Sequence, residues 1–296
     1  QVTPHEDEDD WKNQIGFNAD EFFRYTSQFS YVKFVIRADA PTSVYYADSE
    51  RYLFHRDFVS ARIEPYLGIE MGEFEHITRF NEGRRLYLGA VLVGFSPFEY
   101  GIQFDAGDPL PQETVRELFN LVTSTVVDVR FSNSAPIRVF YIPSFDQAPA
   151  ARNCADFFAS NGIPVASIED WLPGDVVYSS GWHFGRLRYV AATNIQSAYA
   201  SGQLLPTDIL LTDGVPAEIP YVSGIITFQP ATPNSHVVLL AQSFAVPFVY
   251  LHDPAERQRV RALDGIEGAL RAPEGNYGYG DDIRIVALPE NLDASL

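Results

Sequence analysis

A single cysteine, Cys154, occurs in 296 residues. That count excludes an intrachain disulfide and any zinc site built from several thiolates. Lysine is almost as scarce, with Lys12 and Lys33 the only two against 19 arginines. Composition thus leaves little room for a phosphate-clamping lysine in a nucleotide loop, and cationic work falls to guanidinium groups. Apolar runs are short, and none approaches the ~18–20 residues of a membrane span. Positive charge is in deficit overall, with a formal net charge of −18. A surface of that sign repels nucleic acid and anionic membranes, so neither is an expected partner. No metal-ligand spacing or cofactor motif stands out, and the expectation is no metal and no cofactor.

What is present describes a folded protein. Hydrophobic residues make up 46% and aromatic residues 14% of the chain, enough for one or two domains with a substantial core. The acidic head His5-Glu6-Asp7-Glu8-Asp9-Asp10 lacks the turn glycine and spacing of an EF-hand and reads as a solvated tail. The start at Gln1, without methionine, fits a mature product after signal cleavage as well as an excised segment.

From Phe22 to Phe58 the pattern predicts strands, among them Tyr31–Ile36, Val44–Tyr46 and the aromatic stretch Arg51–Phe58. Within the last, His55 and Asp57 could pair as a general base with its orienting carboxylate. No nucleophile motif accompanies them, so a structural histidine is the preferred reading, and His76 has less support still. Leu86–Phe95 predicts a buried strand. Pro111–Val127 predicts a helix from the spacing of Val115, Leu118, Phe119 and Val122, and Ile137–Ile142 returns to strand. The expectation is an α+β domain over 1–145 with its helix against one face of a sheet. A segment over 146–171, a short connection or a helix through Phe158 closed by Asn161-Gly162, joins it to a second domain over 172–290 and is expected to pack on one of the two.

The second domain is organised around Asp208–Leu251. Ile209–Leu211 and Gly224–Phe228 read as strands, and Pro230 and Pro233 shape the loop that follows. Asn234 and Ser235 offer N-cap oxygens to an apolar helix of about three turns from Val237 to Ala245. His236 therefore falls at a helix N-terminus, where unpaired N–H groups and the positive end of the dipole favour an anion. Near the C-terminus, Pro273–Asp282 is rich in glycine but lacks the lysine of a phosphate loop, and reads as a hairpin turn.

The segment Thr232-Pro233-Asn234-Ser235-His236-Val237-Val238-Leu239-Leu240-Ala241 resembles the histidine-bearing segment of the swivelling phosphohistidine domain. That mobile domain belongs to phosphoenolpyruvate-utilising enzymes such as phosphoenolpyruvate synthase and pyruvate phosphate dikinase. Leu211-Thr212, Pro216, Gly224–Thr227, Val246–Val249, Gly181 and Gly185 also fall where the family has comparable residues, and the resemblance covers residues 171–287. It differs at Gln229-Pro230-Ala231, where the family usually has glycines, and at Gln242, where it has an arginine. The resemblance implies a swivelling β/β/α fold for the second domain. It implies His236 as the phosphoryl-accepting nucleophile, with Thr232, Asn234 and Ser235 holding phosphate oxygens. In that family an ATP-grasp domain phosphorylates the histidine and a barrel domain uses it. Neither is located in this chain, so an ATP-grasp kinase domain in cis or in trans is the implied partner. The N-terminal region also resembles that of exported bacterial proteins carrying the mobile domain, which implies an extracytoplasmic location. The alternative expectation is a non-catalytic secreted scaffold that reuses the fold for assembly, including self-assembly.

Overall fold

The structure is a computed structural model of the whole chain. It describes residues 15–16, 24–25, 29–95, 98–127, 138–172, 174–273 and 283–288. The acidic head and residues 274–282 of the glycine-rich stretch lie outside the described residues. The fold is α+β, and the chain forms two compact units that divide between Ser167 and Ile168.

In the first unit, β1 (Ile15–Gly16) pairs with β7 (Val126–Val127). The main sheet runs in the order β2 (Arg24–Tyr25), β3 (Phe29–Arg37), β5 (Leu86–Phe95), β6 (Phe98–Asp105) and β8 (Val139–Tyr141). Strand β4 (Val44–Ala47) also pairs with β3. Alternation along β3 sends Val32, Phe34 and Ile36 into a core shared with Val115, Leu118, Phe119 and Val122 of α3 (Gln112–Thr125). Val35 points the other way, into a core with Phe58 and Val59 of α1 (His55–Arg62) and Phe74 and Ile77 of α2 (Met71–Arg79).

Two sequence expectations are corrected here. Arg51–Phe58 is not a strand: α1 begins at His55, because Phe58 and Val59 serve the core from one helical face. The sheet is covered by helices on both faces, not one, which matches the near-continuous apolar run of β5. Most of the segment read as a connection belongs to the first unit. Helices α4 (Ala148–Asn153) and α5 (Ala155–Ser160) place Ala151 and Phe158 in its core, and Ile163 follows them.

The second unit is a seven-stranded sheet in the order β15 (Arg284–Ala287), β14 (Glu267–Ala272), β10 (Gly181–Tyr189), β11 (Ile209–Thr212), β12 (Gly224–Thr227), β13 (Phe248–Tyr250) and β9 (Val176–Ser179). Strands β10 to β13 are parallel, and β9, β14 and β15 are antiparallel additions at the two edges. Because β11 and β12 are parallel, residues 213–223 form a crossing connection. The two glycines of β10 serve the backbone. Gly181 has φ +145, and a Cβ at Gly185 would lie 2.3 Å from the Thr207 carbonyl oxygen. Leu187, Ile209, Leu211, Ile226, Val249 and Leu251 line one face and pack with Val260 of α8 (Pro254–Arg261) and Leu270. Leu210, Ile225 and Phe248, alternating with them and also buried, line the other face. Each such side chain contributes about 1.5–3 kcal/mol.

Candidate functional site

Parallel strands deliver their loops to one edge of a sheet, and in the second unit that edge collects the ends of β10, β11, β12 and β13. The loop leaving β12 is fixed from its first residue. Thr227 donates its hydroxyl to the Gln229 carbonyl at 2.7 Å and accepts from the Gln229 N–H at 3.2 Å. Two residues on, the Tyr178 hydroxyl of β9 donates to the Ala231 carbonyl at 2.8 Å and accepts from the Ala231 N–H at 2.9 Å. Burial pushes the Tyr178 phenol well above its ordinary range, so it stays protonated as a donor. The Ser235 N–H then closes a turn onto the Thr232 carbonyl at 2.9 Å.

Helix α7 (His236–Ser243) starts directly after this turn. Ser235 is its N-cap, with φ −63 and ψ 144, and its Oγ accepts from the Val238 N–H at 3.3 Å. The first N–H groups of a helix have no acceptor within it, and Ser235 engages one of them. No acidic residue stands in the first turn. The positive end of the α7 dipole is therefore not offset by a carboxylate of its own helix. His236, the first helical residue, is exposed. Thr232 and Asn234 are buried, at 6% and 9% exposure, and shape the loop from within, whereas Ser235 is half-buried. Structure thus brings all four sequence candidates into one short stretch, and of them only His236 is exposed.

The helix is shorter than expected, eight residues instead of about three turns. Its end is a left-handed cap. Ala245 has φ 52, the Val246 N–H bonds the Ala241 carbonyl at 2.9 Å, and the Ala245 N–H bonds the Gln242 carbonyl at 3.3 Å. An alanine in this conformation carries no sequence signal of the kind glycine gives. Gln242 donates Nε2 to the Tyr178 carbonyl at 2.8 Å, so its side chain ties α7 to β9 instead of reaching the helix start.

A second histidine lies on the same sheet edge. Tyr250, at the end of β13, donates its hydroxyl to Glu169 at 2.7 Å and accepts from Arg257 at 2.8 Å, with His252 Nδ1 3.3 Å away. Arg257 also reaches Glu169 at 3.0 Å. The Tyr250 hydrogen bond, followed by Arg257, holds the Glu169 carboxyl below the usual carboxylate range, and burial pushes the Tyr250 phenol up. The backbone N–H of His252 donates to the Asp175 carboxylate at 2.6 Å.

In the first unit, His55 is buried and its Nε2 donates to the Gly89 carbonyl at 2.9 Å. Because residues 55–57 lie in α1, His55 and Asp57 do not share a strand face, and the acid–base pairing weighed from sequence does not form. His76 is exposed on α2. Lys33 is buried, donating to the Leu53 carbonyl above the Phe54 ring. Among the described residues no group of three or more His, Cys, Asp or Glu is placed to hold a metal ion, and no helix is long and apolar enough to cross a membrane.

Sequence reading missed Tyr178, Thr227 and the Glu169–Tyr250–Arg257 cluster. Tyr178 and Ala231 are 53 positions apart, and Glu169 and Arg257 are 88 apart. Comparisons with known protein families, with curated proteins and with solved structures find no match.

Proposed function

We propose that the second unit is a phosphohistidine carrier and that His236 accepts the phosphoryl group. One observation carries the reading: an exposed histidine as the first residue of a serine-capped helix whose first turn holds no carboxylate. A ring nitrogen attacks the terminal phosphorus of a phosphoanhydride. A P–N bond forms, the P–O bond to the leaving diphosphate breaks, and the other ring nitrogen releases its proton to solvent. The α7 N-terminus stabilises the added dianion by up to ~2 kcal/mol. Ser235 lies beside that charge, and Thr232 and Asn234 support it by holding the turn. The donor is an ATP-grasp kinase domain in cis or in trans. The resemblance described above supports that assignment, as does the scarcity of lysine in this chain.

The test is to incubate the chain with ATP and its cognate ATP-grasp domain. An acid-labile, base-stable phosphate is expected on the chain and is lost in His236→Ala. A label on another residue, or none, contradicts the reading. The chain alone is expected to leave ATP intact; phosphate release from ATP that disappears in His236→Ala contradicts the dependence on a kinase partner.

A second reading, a non-catalytic scaffold that self-assembles, is favoured by a different observation. Trp182, Phe184, Tyr221 and Phe244 are each more than half exposed and form two edge-on ring pairs, at 5.2 and 6.4 Å. It predicts association that grows with protein concentration and weakens in Trp182→Ala. A monomer at every concentration removes it.

A further inference from the structure

We infer that Tyr178 is a positioning residue for His236, acting through Ala231; this rests on His236 being the reactive group of the second unit. Tyr178 sits on the edge strand β9 yet touches the loop before α7, α7 itself and the strand β13 that follows it. Its ring packs on Phe248 of β13 at 5.0 Å. Its carbonyl accepts from Gln242 of α7, and its hydroxyl serves both backbone groups of Ala231. Ala231 is 4% exposed, so without the phenol its N–H and C=O would both be stranded away from water. The hydroxyl has one proton and spends it on the carbonyl, while the N–H fills a lone pair.

Only a short stretch separates Ala231 from His236, and little of it can absorb a displacement. Pro233 restricts φ, and the Thr232–Ser235 turn is hydrogen-bonded. Movement at Ala231 therefore passes to the Ser235 cap and to the imidazole beside it. The phenol shapes a loop whose sequence, Gln229-Pro230-Ala231, lacks the glycines of the family it resembles.

Tyr178→Phe removes the hydroxyl and keeps the ring on Phe248. The probe is phosphoramidate, which phosphorylates imidazoles without an enzyme. The ring nitrogen attacks phosphorus, the bond to nitrogen breaks with release of ammonia, and the second ring nitrogen loses its proton to solvent. Initial rates are compared within one molecule, His236 against His183, which is exposed on β10. Hydrogen exchange is followed at Ala231, with Leu210 and Ile226 as controls for an intact sheet.

In the wild-type protein, the Ala231 N–H is expected to exchange slowly and His236 to react faster than His183. In Tyr178→Phe, the Ala231 N–H is expected to exchange roughly fivefold faster or more, as for one lost hydrogen bond. The His236-to-His183 ratio is expected to fall by about tenfold. Rapid exchange at Ala231 in the wild-type protein, or unchanged exchange in the variant, overturns the clamp. Faster exchange with an unchanged ratio overturns the positioning role and leaves Tyr178 a structural support. Equal reaction of His236 and His183 in the wild-type protein overturns the carrier reading itself, whatever Ala231 does.

Discussion

Two helices of the second unit, α7 and α8, each carry a histidine beside their first turn, and their N-termini are finished in opposite ways. Helix α8 is capped by Asp253, whose carboxylate accepts from the Ala255 N–H at 2.8 Å, and Glu256 stands in its first turn. Helix α7 has a neutral serine cap and no acid in its first turn. His252, before α8, has its Nδ1 3.3 Å from the Tyr250 hydroxyl and its backbone N–H on Asp175, while His236 is exposed at the first residue of α7. A helix that brings its own carboxylates has already offset its dipole. One that brings none leaves room for an anion from outside. A histidine at a helix start is thus not a phosphate site by position alone, and the neighbouring charges decide.

The comparison breaks most sharply at the cap. Ser235→Asp gives α7 the finish of α8, and inorganic phosphate should then bind the α7 N-terminus about tenfold more weakly or worse, with the fold retained. Backbone amide shifts of Val237 during a phosphate titration measure this. Unchanged affinity would mean that the missing carboxylate has no bearing on the site.

A smaller effect is expected on the α8 side. Tyr250→Phe removes the donor to Glu169 and should cost about 1–2 kcal/mol of stability at neutral pH. The sign of the pH dependence follows from Glu169, whose folded carboxyl titrates below its ordinary value. Its contribution is present above the unfolded value near ~4.3 and is lost as pH falls through the folded value. The gap between wild type and Tyr250→Phe in urea denaturation should therefore close in acid. A gap that widens there would contradict the assignment.

At the other end of α7, Ala245→Gly should stabilise the protein by about 1 kcal/mol, since it relieves a left-handed alanine in an otherwise regular cap. Thermal unfolding tests this, and a lower midpoint would contradict it. The phosphate titration should be unaffected, which separates helix stability from anion binding.

Much of this was legible in the sequence, and the parts that were not share a cause. The apolar run of β5, the spacing of α3 and the serine cap of α7 are local patterns, and they appear in the structure close to where they were read. Helix α1 was misread because its start is aromatic and aromatic residues favour strands, whereas the core selects Phe58 and Val59 on one helical face. The length of α7 was overestimated because its stop is an alanine that adopts a conformation glycine would signal. The Tyr178 clamp and the Tyr250 cluster depend on residues that meet only after the sheet has formed. No spacing in the chain announces them.

The most direct test asks one molecule to choose between the two helices. The purified chain is treated with phosphoramidate and digested at alkaline pH, and phosphohistidine is located by mass spectrometry. His236 is predicted to be labelled first, ahead of His252. Equal labelling of the two, or His252 first, would contradict the assignment of the α7 N-terminus as the phosphoryl-accepting site.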